Sequence, residues 1–301
     1  MDSSVIFQMD APFRTPIQIR RFRFGQPRVG KHLAIVSGMH GNETGGVLAV
    51  NQLIQFLQTV EVIGCIDIYP VVNPVGIDQS SKLNPLDHRD INRCFPGLAN
   101  GTISERIAEV IFRATVDCSR VLSVHTGAAH VNDLTQVRCV DSEGDLFQNV
   151  DVPLLWKKSQ LDGRIGLLGQ CQQRGQQVLY CTSGSGNSVD LNAVNMQCQV
   201  LKSILHELDF ITWLNEIEDR PQVFEGSMIE HRSTAGGFFH PQVAVGDRVE
   251  KGQQLGCVTE INGGEVLETI VAETTGMIAS IRVNPVVHHR ELLIKMVETS
   301  S

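Results

Sequence analysis

The sequence predicts an α/β fold, a sheet covered by helices on both faces, followed by a small all-β C-terminal domain. Three observations carry this. Short apolar runs rich in β-branched residues, HLAIVSG, IGCIDIYPVV, CSRVLSVH and QQVLYCT, read as interior strands. Longer stretches with helical periodicity lie between them, among them ISERIAEVIFRAT and LNAVNMQCQVLKSILHELDFITWL. Strands alternating with helices point to a sheet with helices on its faces. After NEIEDRPQVFEGS the pattern changes to short alternating runs broken by Gly and Pro.

In chain order, the strand HLAIVSG runs into the turn GMHGNETGG and then into VLAVNQLIQFLQ, which reads as a helix. IGCIDIYPVV is the next strand. Thr102 and Glu105 have the T-x-x-E spacing of a capping box, which predicts a helix start there. CSRVLSVH ends on His125, KKSQLDGR (157–164) reads as a solvated connection, and QQVLYCT leads to the last long helix. The expected division is a larger α/β domain over 1–223 and a β-rich domain over 224–301.

A chain of 301 residues accommodates one large domain, or a medium domain plus a small one. Lys and Arg number 25 against 33 Asp and Glu, so the formal charge is 25 − 33 = −8. With no basic stretch, neither nucleic acid nor an anionic membrane is an expected partner. The N-terminal segment MDSSVIFQMDAPFRTPIQIRRFRFG lacks the pattern of a secretory signal. No apolar run approaches the roughly 18 residues of a membrane span. The eight cysteines are scattered without a CxxC pair, which reads as reduced thiols in a cytoplasmic protein.

The chemistry concentrates at strand ends. His40 and Glu43 stand three apart where a sheet of this kind exposes functional groups. An imidazole and a carboxylate at this spacing reach one ion if the chain turns between them, and the surrounding glycines permit that turn. Catalytic zinc takes three protein ligands, and His₂Glu is an established set. His125, at the end of another apolar strand, is the best candidate for the third. In HRDINRCFPG, Asn92 and Arg93 beside Asp90 are suited to gripping a carboxylate, because guanidinium binds carboxylates in bidentate fashion. Taken singly, each signal has a bland counterpart: a structural histidine, a chance HxxE, a solvated Arg–Asp turn.

The ordered set GMHGNE, NPVGID, RDINRCFPG and SVHTG resembles the succinylglutamate desuccinylase/aspartoacylase family, a branch of the zinc carboxypeptidase superfamily, over about residues 17–215. The resemblance implies a zinc-carboxypeptidase-like mixed sheet and one zinc ion per chain, held by His40, Glu43 and His125. It also implies that Asn92 and Arg93 hold the substrate's free carboxylate. The implied reaction is hydrolysis of the amide bond of a small N-acylated amino acid or similar carboxylate-bearing substrate. The partner is that small molecule; a homo-oligomer is left open.

Two positions depart from the family pattern. The family's general-base glutamate falls on Cys181, Thr182 or Ser183, with Thr182 the favoured occupant, and none is a carboxylate. Asp190, Glu225 and Glu230 are candidate replacements. Where the family has an oxyanion-stabilising arginine, this chain offers Lys82, with Arg89 the other cation nearby. Two further functions are therefore carried: a catalytically silent zinc or ligand-binding homologue, and a carboxypeptidase that trims peptides. In the tail, LETIVAETTGMIASIRV resembles the second half of a lipoyl or biotinyl carrier domain. The position expected to hold the modified lysine falls near Glu265, so carrier function is not expected. His130 and Asn132 read as pocket or surface polar residues, and His288-His289 as a solvated pair.

Overall fold

The computed structural model describes residues 1–12, 15–28, 30–140, 147, 149–158, 166–213, 222–225 and 228–298. The first half comprises β1 (Asp2–Met9), β2 (Ile17–Gly25), β3 (His32–Val36), α1 (Thr44–Leu57), β4 (Cys65–Tyr69) and α2 (Pro74–Asp78). A 3-10 turn at Ile91–Arg93 precedes α3 (Ile103–Ala114), β5 (Arg120–His125), β6 (Val131–Val140) and β7 (Leu154–Lys158). Then come α4 (Leu167–Gln173), β8 (Gln177–Ser185), α5 (Leu191–Glu207) and β9 (Gln222–Glu225). Strands alone follow: β10 (Ile229–Arg232), β11 (Gly237–Pro241), β12 (Arg248–Val249), β13 (Gln254–Thr259) and β14 (Val266–Val271). The last are β15 (Gly276–Arg282), β16 (Val286–Val287) and β17 (Leu292–Glu298).

The centre of the molecule is the parallel set β4-β3-β5-β8, flanked by antiparallel β2 and β6. The fold is thus a mixed sheet with helices on both faces. Leu33 and Ile35 of β3 and Leu122 and Val124 of β5 bury one face under α1 and α5. Ala34, Val36 and Val121 bury the other under α3 and α4. Apolar residues on both faces explain why these strands read as unbroken hydrophobic runs in the sequence. The capping box at α3 is formed, with Thr102 and Glu105 each bonding the other's backbone N–H.

The strand order fixes where a site can lie. The chain leaves β3 through α1 to reach β4 on one side, and reaches β5 on the other. The carboxyl ends of β3 and β5 therefore flank a topological switch point, where connections diverge and leave a crevice.

Two sequence expectations are modified. KKSQLDGR was expected to be a solvated connection, yet Lys157 and Lys158 belong to β7. Lys157 is buried there, and the Lys158 ammonium lies 4.5 Å from the centre of the Trp156 ring. The stems of both lysines have apolar surface to cover, which overrides their preference for water; residues 159–164 lie outside the described residues. The second difference concerns the tail. Its residues after 228 do form their own core, around Phe239, Leu255, Ile278 and Ile294. Among the described residues, however, β15, β17 and β10 continue the large sheet, and only β14-β13-β11-β16 form a separate one. The physical reason is the outer edge of β6, whose unpaired backbone groups need partners. β15 takes Val131–Asp133 and β7 takes Gln136–Val140.

Candidate metal centre at the β3 and β5 strand ends

The turn after β3 brings His40 and Glu43 together by a close passage of backbone. A side chain at Gly41 would overlap the carbonyl of Gly76, and Gly38 adopts φ +60° with the carbonyl of Pro70 2.8 Å from where a Cβ would sit. Glu43 is the residue that caps α1, yet its side chain makes no capping bond. It is turned into the crevice instead. There Glu43 Oε1 meets His40 Nδ1 at 2.7 Å, and Oε2 meets His125 Nδ1 at 2.9 Å. The Thr126 backbone N–H also donates to Oε2, at 3.2 Å. All three side chains are buried.

The far nitrogen of each ring is also engaged. His40 Nε2 is 3.1 Å from Asp90 Oδ1, and His125 Nε2 is 2.8 Å from Ser123 Oγ. Tyr180 stacks on His125 with ring centres 4.9 Å apart. Both imidazoles thus aim Nδ1 at one carboxylate, with their orientation fixed from behind. Two imidazole nitrogens and a carboxylate oxygen are the donor set of a catalytic zinc site, and oxygen partners behind ligating histidines are its usual support. The residues present fit the ion. Burial alone would keep His40 neutral, but Asp90 and Glu43 outweigh it and raise its pKa to about 9. Burial likewise works against ionised Glu43, and the two histidines outweigh it, holding its pKa down to about 2.

A second group, His32, Asp67 and Cys118, lies at the opposite ends of the same strands. Its carboxylate is already taken. Arg23 donates to both Asp67 oxygens at 2.7 Å, and His32 Nε2 is 2.9 Å from Oδ2. That cluster is a buried ion-pair network tying β2, β3 and β4.

The remaining sequence candidates fall in different places. Asn92 Oδ1 accepts from the backbone N–H of Leu167, joining the 3-10 turn to the start of α4, and Arg93 is exposed. Asp90 caps that turn by accepting from Asn92 N and also reaches His40, so the segment is attached to the centre through Asp90. Lys82 lies near the same carboxylate, 3.9 Å from Asp90 Oδ2. Arg89 points elsewhere: its guanidinium pairs with Glu105 at 2.7 Å, at the start of α3. His130 is exposed beside Asn284, Asn132 is part of β6, and His288 and His289 are exposed.

Thr182 stands in register with His125 on the neighbouring strand and points to the same face. Cys181 and Ser183 point to the other face. Cys181 is packed in the core, where burial pushes its thiol up to about 12, and Ser183 bonds Thr135 and the carbonyl of Ala193. Asp190 is the cap of α5, and Glu230 is paired with Arg232 and Lys295. The Glu225 side chain lies outside the described residues. Two residues that support the centre, Ser123 and Tyr180, escaped the sequence reading. The i, i+2 spacing of Ser123 to His125 was the available signal, because alternate strand residues share a face.

Comparison with known proteins points the same way. Residues 29–152 match the family described as the succinylglutamate desuccinylase/aspartoacylase catalytic domain. An N-α-acetyl-L-2,4-diaminobutyric acid deacetylase of Halomonas elongata is 24% identical over 268 residues, spanning 84% of this chain and 78% of that protein. The solved succinylglutamate desuccinylase/aspartoacylase of Rhodobacter sphaeroides superposes with a TM-score of 0.83 at 18% identity, covering 99% of this chain and 96% of that one. The product-bound ectoine utilization protein EutE (DoeB) of Ruegeria pomeroyi gives 0.81 at 17% identity, covering 97% and 93%. At these identities the two structures speak for the fold alone.

Proposed function

Through residues 29–152 the chain belongs to the succinylglutamate desuccinylase/aspartoacylase family, and on that premise we propose that it is a zinc-dependent amidohydrolase that removes the acyl group from a small N-acylated amino acid. The observation that carries the proposal is the convergence of His40 Nδ1, His125 Nδ1 and the Glu43 carboxylate at the β3/β5 switch point. The acetylated diamino acid named for the Halomonas relative makes N-acetyl amino acids the first substrates to test.

Zinc, held by His40, Glu43 and His125, would polarise the scissile carbonyl and lower the pKa of the attacking water. The protein's own groups do the rest. Asp90 and Ser123 hold the two imidazoles in the orientation that leaves Nδ1 free for the ion. Arg93, exposed on the segment that Asp90 ties to His40, grips the substrate carboxylate with Asn92 beside it. This remote anchor positions the amide for attack. Lys82 supplies positive charge beside Asp90, the role left open by the pairing of Arg89 with Glu105. Residues 1–223 carry the chemistry in this reading. The tail, 224–301, shapes the mouth of the crevice. The protein works in the cytoplasm.

The test is turnover by zinc-reconstituted protein on a panel of N-acetyl and N-succinyl amino acids and short peptides, read by mass spectrometry. Cleavage of acyl amino acids that disappears in His125→Ala, together with its bound zinc, is the expected result. Preference for peptides would move the reading to a carboxypeptidase. One observation favours a second reading, a binding protein without turnover: none of Cys181, Thr182 and Ser183, the positions on which the family's glutamate falls, is a carboxylate. That reading predicts tight binding of an acyl amino acid that is returned intact.

A further inference from the structure

The family's glutamate would rise from position 182, on the strand beside His125. The sheet places a different carboxylate, Asp133 of β6, within hydrogen-bond reach of Thr182. β6 runs antiparallel to β8 with a bulge between Asp133 and Gln136: Asp133 pairs with Gly184, and Gln136 pairs with Thr182. One extra residue in β6 shifts the alternation, so Asp133 and Gln136 both share the face of Thr182. His125, Thr182 and Asp133 thus lie on one face of three adjacent strands. Thr182 Oγ1 donates to Asp133 Oδ2 at 3.2 Å, and Ser280 Oγ of β15 donates to Oδ1 at 2.6 Å. A glutamate at 182 would carry its carboxylate two carbons beyond its Cβ. The Asp133 carboxylate sits one hydrogen bond beyond the oxygen attached to that same Cβ.

Among the described residues, the carboxylates that touch the centre are committed. Glu43 belongs to the ligand set, and Asp90 holds His40 and caps the turn at Ile91–Arg93. Asp133 is held by two hydroxyls, each of which leaves its oxygen further capacity to accept. We propose that Asp133 is the general base of this chain, in place of the glutamate that its family carries at position 182. The inference rests on the deacylase reading. Burial raises the pKa of Asp133, outweighing Arg138 on its own strand, Ser280, Thr182 and Lys295 of β17, all of which lower it. A shift toward neutrality suits a base.

In the step assigned to it, the Asp133 carboxylate takes a proton from the attacking water as the water oxygen bonds to the scissile carbonyl carbon. The carboxyl then passes that proton to the amide nitrogen as the C–N bond breaks. An amine and a carboxylic acid leave, and the carboxylate is restored.

The experiment compares wild type, Asp133→Asn, Thr182→Glu, the double variant and Ser280→Ala, all zinc-loaded. Asp133→Asn is expected to keep its zinc, its thermal midpoint and its calorimetric affinity for an acyl amino acid. Its kcat falls about 10²–10⁴-fold, and the acid limb of its kcat/KM profile disappears. Adding Thr182→Glu returns a carboxylate and restores turnover. Ser280→Ala removes one hydrogen bond to the carboxylate, so its acid limb moves to higher pH, a readout that survives if Asp133→Asn fails to fold.

Full activity in Asp133→Asn, or an unmoved limb in Ser280→Ala, overturns the proposal and leaves the deacylase reading intact. So does a double variant that stays inert while Thr182→Glu alone is active. An inert wild type beside an active Thr182→Glu shows that Asp133 is no base, with the reaction class retained. If wild type and Thr182→Glu both hold zinc and both cleave nothing, the deacylase reading falls and Asp133 with it.

Discussion

Ser123 contributes to the centre although it is not itself one of the candidate ligands. Its hydroxyl lies 2.8 Å from His125 Nε2, and with Tyr180 stacked on the ring it fixes which nitrogen faces Glu43. Ser123→Ala removes a small buried group, so stability should change little while the ring gains freedom. Partners of this kind are worth about 10–100-fold in metal affinity. Zinc affinity of Ser123→Ala, measured by chelator competition, is therefore expected to fall within that range. Affinity equal to wild type would mean that packing alone orients His125.

The turn between β3 and α1 shows how one element fixes two ligands. Gly41 packs so closely on Gly76 that any side chain collides with rigid backbone rather than with a pliable side chain. Backbone displacement of this sort costs about 1–3 kcal/mol or more. Gly41→Ala should lower the denaturation midpoint accordingly. Because His40 and Glu43 flank the glycine, it should also weaken zinc binding. A variant that lost stability yet bound zinc normally would show that α1 and β3 place the ligands without help from the turn. The bulge in β6 acts in the same way, because it decides which face Asp133 presents.

Across the whole molecule, the Arg23–Asp67–His32 network sets a pH window for stability. Burial works against ionised Asp67, but Arg23 and His32 hold its pKa down to about 2, below its ordinary 3.8. Its contribution is present above pH 3.8 and is lost as pH falls toward 2. The hydrogen bond that His32 donates to the Asp67 carboxylate lifts His32 well above its ordinary 6.5, so its contribution is present below 6.5 and is lost as pH rises beyond. One proton gives a slope of at most about 1.4 kcal/mol per pH unit. Denaturant midpoints measured from about pH 4 to about pH 9 should therefore decline on the alkaline side. The difference between wild type and His32→Gln should shrink as pH rises. A constant difference would show that the pair carries no linked proton.

The amino-acid order by itself determined the strands, the long helices and the strand-end positions of His40, Glu43 and His125. Each is encoded locally, in β-branched runs, helical periodicity and a glycine-rich turn. The absence of a carboxylate from Cys181-Thr182-Ser183 was equally legible. Only the tertiary structure decided which carboxylate lies beside Thr182. The pairing of β6 with β8 depends on residues about 50 apart in sequence, and a one-residue bulge in that pairing reverses the face of Asp133. No local pattern records such a register. The same holds for Arg89, the other cation near Lys82 in the sequence, whose pairing with Glu105 is set by the packing of α3. It holds too for the tail, whose strands pair with the large sheet because β6 leaves an edge open. Local patterns specify what each segment becomes; which side chains then meet is set by pairings between distant strands.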